Sequence, residues 1–216
     1  MMRLLFAIVG FLLLSIGFGC ASRLSPKLHQ PPSSAGLAVV ECFLYPEDPT
    51  HVRSKFAAPD SFPARVAYLE SMNDGHAARG LSVYGTGYVL FPDLEPGEYR
   101  LTRVRVETRE YSMALSHTVA TDYEFKVPEQ THASVRVAPG EPVYVGALAI
   151  RRAYGWEDVG RAPSDDPTRR SNARVTLERS DEGEARAWTE LLARKKYRRS
   201  AWRGAIEKRL AEIQKK

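Results

Sequence analysis

Apolar residues recur at every second position along most of the chain, and the period changes near residue 180. In residues 36–45, GLAVVECFLY, Ala38, Val40, Cys42 and Leu44 share one phase while Glu41 stands on the other. Such alternation marks a strand with one face in a core. Comparable runs occupy 64–70, 88–91, 98–106, 109–119, 122–127, 132–137, 142–150 and 172–179. Tyr123, Phe125 and Val127 share a face, as do Ala133, Val135 and Val137. In 142–150 the apolar phase slips between Val145 and Leu148, with Gly146 at the slip, which predicts a bulge. Many short strands with no helices between them predict an antiparallel sandwich over 36–180.

From residue 181 the apolar positions follow a helical stripe: Trp188, Leu191 and Leu192, then Trp202, Ala205, Ile206, Leu210 and Ile213. Asp181 with Glu184 suits a capping pair at the first start. Ser200, after the basic stretch RKKYRRS, suits the second. Residues 181–216 are therefore expected to form a C-terminal two-helix hairpin. Its stripe needs a cover, either the sandwich or a partner. Two long connections, 46–63 with four prolines and 154–171, separate strands, and each is a candidate functional loop.

Residues 88–101, YVLFPDLEPGEYRL, carry the one segment that suggests a family. Phe91 and Leu94 are expected to close one strand into the core. Pro96 and Gly97 suit a type II turn with positive φ at the glycine, and Tyr99 and Leu101 start the next strand. The segment resembles the F-x-x-L-x-P-G-x-Y-x-L stretch of carboxypeptidase-regulatory-like and other transthyretin-like domains. The resemblance implies a mainly β fold, an antiparallel Greek-key β-sandwich (transthyretin/Ig-like). It implies no reaction, because the motif holds no catalytic group.

The chain opens with Arg3 and an apolar run from Leu4 to Phe18, shorter than the ~20 residues a spanning helix needs. A charged start, a short apolar centre and small residues at its end describe a secretory signal. The run stops at Gly19-Cys20. This resembles the bacterial lipobox, which implies cleavage after residue 19 and acylation of Cys20. Here Gly17 stands where that pattern favours Leu. Cleavage after Ala21 by ordinary signal peptidase, or retention as an uncleaved anchor, are the alternatives. Ala21, rather than Asp, follows the cysteine, which by the same resemblance favours the outer membrane. Residues 20–35 hold three prolines and four serines without periodicity, the composition of a solvated linker.

Charge separates the regions. Residues 181–216 hold eleven basic and six acidic residues, a net of +5, whereas 20–180 holds nineteen and twenty. For an exported chain this points to an anionic lipid surface or an acidic protein face, and away from nucleic acid. With Cys20 acylated, Cys42 has no disulfide partner and reads as a small core residue. His29, His51, His76, His117 and His132 show no metal-ligand spacing, and no nucleophile with a base in reach is visible. No cofactor is expected.

The expectation is a non-catalytic, membrane-anchored lipoprotein of the bacterial envelope facing the periplasm. It would serve as an interaction module, with an envelope protein meeting the C-terminal helices or a sheet edge. The alternative is a carbohydrate- or peptidoglycan-binding module. Candidate contact residues are Trp156, Tyr84 and Tyr88 for a sugar, and Trp188 and Trp202 for a partner, unless those two tryptophans cap the sandwich.

Overall fold

The computed structural model describes Pro26, Leu28 and residues 35–46, 62–111, 118–131, 134–152 and 173–215. Among the described residues, nine strands precede the α-helices. They are β1 (Gly36–Pro46), β2 (Phe62–Ser71), β3 (Ala77–Ser82), β4 (Tyr88–Leu94), β5 (Gly97–Tyr111), β6 (Thr118–Lys126), β7 (Ser134–Val137), β8 (Pro142–Arg152) and β9 (Ala173–Glu178). Three helices follow: α1 (Asp181–Ala193), the single turn α2 (Lys195–Arg198) and α3 (Arg203–Ile213). The hydrogen-bonded order is β6-β5-β2-β3-β4-β1-β8-β9, with β7 on β5. Pairs Phe43↔Pro63 and Leu44↔Phe62 join β1 to β2 and close β1 to β4 into a four-strand ring. The result is a mainly β sandwich with a helical C-terminus.

The even positions of β1, Ala38 to Leu44, fill the inner core with Ala67, Leu69, Phe91, Leu101, Val104, Leu148 and Ile150. That phase agrees with the alternation in the sequence. The bulge at Gly146 is present: Val39 pairs with Tyr144 and Val40 with Gly146, leaving Val145 as the extra residue. Gly146 has φ 134°, and a Cβ there would lie 2.9 Å from the Glu178 carbonyl, so only glycine fits without distortion. The shift lets odd residue Val145 and even residues Leu148 and Ile150 face the same core.

Several expectations need correction. The pairing of β1 with β8 is parallel, not antiparallel. β1 lies centrally and is buried on both faces, the setting parallel pairs need. Strand β3 has no counterpart in the alternation of the sequence. Its inward position is Gly80, where a Cβ would sit 2.7 Å from the Phe91 ring, so the strand shows no apolar alternation. Residues 98–106 and 109–111 form one strand, β5, and 112–117 lie outside the described residues. In the FPDLEPGEY segment the positive φ belongs to Asp93, at 56°, and not to Gly97, which begins β5 opposite Val137. The Tyr99 hydroxyl donates to the Glu95 carbonyl at 2.9 Å and holds that turn. Phe91, Leu94, Tyr99 and Leu101 all enter the core as expected.

The helical tail is in three pieces: Arg194 is extended (φ −84°, ψ 124°) between α1 and α2, and Arg199 (φ −99°, ψ 3°) ends α2 before α3. Ser180, rather than the Asp181–Glu184 pair, caps α1, its hydroxyl accepting from the Gly183 amide at 3.0 Å. Ser200 does not cap α3. Its hydroxyl turns back to the Tyr197 carbonyl at 2.6 Å, and Trp202 stands at the N-cap.

Candidate functional site

The tail docks on the outer face of the β4-β1-β8 sheet. There the odd residues of β1, Leu37 and Val39, join Tyr88 and Leu90 of β4 and Tyr144 of β8. Ala187, Trp188, Leu191, Tyr197, Trp202, Ile206 and Ile213 cover them from the helices and their junctions. Trp188 and Trp202 have no exposed surface, and Tyr88 retains 2%. These three candidate contact residues are therefore part of a second core and present no side chain to a sugar or partner. The physical reason is area: burying an indole in a docked helix removes far more apolar surface from water than a solvated contact would.

Polar groups fasten the cap at two points. Glu184, nearly buried in α1, accepts from the Trp188 indole at 3.1 Å and from Arg209 of α3 at 2.7 and 2.9 Å. Three donors on one carboxylate offset the cost of its burial. At the sheet, Glu41 pairs with Arg186 at 3.0 Å and accepts from the Tyr144 hydroxyl at 3.4 Å. Burial, followed by the Glu41 charge, pushes the Tyr88 hydroxyl up to about 12, and the same two causes raise Tyr144. Both phenols are neutral at physiological pH, so this group works as a clamp between strand and helix. Gly183 permits it, since a Cβ there would lie 3.2 Å from the Tyr144 hydroxyl oxygen.

What remains outside the clamp is a surface. Tyr84, in the β3–β4 turn, is 64% exposed. Its carbonyl accepts from the Arg194 guanidinium, which places the turn against the junction after α1. That junction opens the densest basic stretch of the chain: residues 191–206 hold six Lys or Arg and no Asp or Glu. Lys195, Lys196, Arg198 and Arg199 are exposed. Further along, Arg203 pairs with Glu207 at 2.7 Å and Lys208 with Glu212 at 4.0 Å. Among the described residues, no carboxylate pairs with Lys195, Arg198 or Arg199. The sequence marked Tyr84 and the basic stretch separately. It held no signal that Arg194 would bring them together, because their separation is 110 residues.

Cys42 is free and fully buried in the inner core, where desolvation raises its thiol pKa. Cys20, Trp156, and the histidines other than His76 lie outside the described residues. Leu28, in the stretch expected to be a solvated linker, packs on the second core, and Pro26 is buried.

No family model matches the chain, and no curated protein matches it. Among solved structures, a Pseudomonas aeruginosa protein described as a "putative carbohydrate binding protein" is similar at 11% identity, over 54% of this chain and 90% of that one, with a TM-score of 0.23. A likeness of that size carries no argument for fold or function.

Proposed function

We propose that this chain is a lipid-anchored, non-catalytic protein of the bacterial cell envelope, held in the membrane through Cys20 and serving as an interaction module there. The observation that carries the reading is the division between the two cysteines. Cys42 is free inside the core, so Cys20 does not pair with it, and Cys20 stands where the N-terminal apolar run stops. A cysteine in that place suits acylation, and several acyl chains anchor far more firmly than one. Metabolic labelling with an alkyne fatty acid tests this. The wild-type chain should take label and Cys20→Ser should not. An unlabelled wild type would remove the reading.

A sugar-binding role is the second reading, favoured by one observation, the exposed Tyr84 ring. Exposed aromatic faces suit the apolar faces of sugar rings. Pelleting with purified peptidoglycan, compared between wild type and Tyr84→Ala, tests it. Equal pelleting of the two would exclude Tyr84 as a platform.

A further inference from the structure

We infer that the β3–β4 turn and the basic junction at 194–199 form one face that lies against anionic phospholipid headgroups. This rests on the lipid-anchor reading for its tether, and on the folded surface for everything else.

The tether is short. Five residues separate Cys20 from Pro26, at most roughly 20 Å of extended chain. Pro26 is already buried, and Leu28 packs on the second core, the one the helices cover. Leu28, among the first described residues, therefore lies on the helix-covered side of the sandwich. With so short a connection, the nearby surface meets the bilayer at high effective concentration, so weak contacts suffice.

The surface on that side has the chemistry of a headgroup contact. Lys195, Arg198 and Arg199 are exposed cations with no carboxylate partner among the described residues. Lys196 extends over the Tyr197 ring, 5.8 Å from its centroid. Basic side chains near an anionic bilayer each add attraction that fades within a Debye length. Beside them Tyr84 is held by Arg194 on a turn where Gly85 has φ 72°. Tyrosine is one of the two side chains enriched at headgroup level. An acidic protein would satisfy the cations as well, but the tether points to the bilayer.

Every residue of both cores lies between Leu28 and Ile213, so a chain beginning at residue 20 with Cys20→Ser keeps the described fold without an anchor. Its flotation is measured with vesicles of equal parts phosphatidylcholine and phosphatidylglycerol, and with phosphatidylcholine alone. Binding to the anionic vesicles, reduced by added salt, is expected. The triple variant Lys195→Gln, Arg198→Gln, Arg199→Gln should bind about a hundred-fold more weakly, with an unchanged melting temperature. Tyr84→Ala should cost several-fold. Equal binding to both vesicle types, an unaffected triple variant, or capture of an acidic protein without vesicle binding would each overturn the inference. Fatty-acid labelling of the native chain is read separately. An unlabelled Cys20 would end the anchor reading without moving the flotation result, and flat flotation would end this inference with the anchor intact.

Discussion

The two outer faces of the sandwich solve opposite problems. The β4-β1-β8 face is apolar and covered: Leu37, Val39, Leu90 and Tyr144 lie beneath Trp188 and Trp202. The β2-β5-β6 face is open and charged. There Arg103 lies 4.4 Å over the Tyr68 ring and 3.1 Å from Glu124, and Arg100 pairs with Glu129 at 3.1 Å. The strands announce the difference. Leu37-Ala38-Val39-Val40 is apolar in both phases, whereas Arg103-Val104-Arg105-Val106 alternates. A strand apolar on both sides must be covered twice. One that alternates needs only one core. The tail thus completes the sandwich on one side while the other relies on solvated cross-strand pairs.

That contrast predicts unequal costs. Trp188→Ala should be the most damaging change, at about 3–5 kcal/mol in denaturant unfolding, because it opens a cavity in the covered face. A loss below about 1 kcal/mol would mean the helices contribute little. Glu184→Ala should follow at about 1–3 kcal/mol, since it leaves the buried Trp188 indole N–H without its acceptor and removes the partner of Arg209. Trp188→Phe and Trp202→Phe sharpen the point. The first forfeits a bond to a carboxylate. The second removes an indole N–H that has no partner among the described residues, so its cost should be the smaller.

The clamp adds a pH signature. Tyr88 ionises at about 12 in the fold against about 10 in an unfolded chain. Its folded pKa is raised, so its contribution is whole below pH 10 and is lost as pH rises from 10 toward 12. Melting temperatures across that window should fall less steeply in Tyr88→Phe than in wild type. Parallel curves would detach Tyr88 from the clamp. The smallest effect belongs to the open face: Arg103→Ala should change stability by about 1 kcal/mol or less. A larger loss in the same unfolding assay would show that this face is not governed by solvent.

Much of the site was visible in residue patterns, though in separate pieces. The alternation of Ala38 to Leu44, the slip at Gly146 and the stripe from Trp188 to Ile213 reflect local geometry, and each appears in the fold. Strand β3 escaped because its inward residue is glycine. The Pro-Gly pattern of the PDLEPGEY segment points to Gly97 for the left-handed residue, and Asp93 carries it instead, because turn chemistry allows several residues that role. Trp188 and Trp202 lie on the helical stripe and cap the sandwich, one of the two covers that stripe allows, whereas Tyr88 reads as a sugar contact because composition says nothing of what covers a side chain.

By itself the sequence determined the alternating strands other than β3, the helical stripe, the concentration of positive charge in the tail and the place of Cys20, since all are short-range properties of neighbouring residues. Only the tertiary structure decided that the stripe folds back on the sheet, that β1 runs parallel to β8, and that Arg194 meets Tyr84. Those outcomes join residues about a hundred positions apart, and such contacts depend on which surfaces bury the most apolar area together.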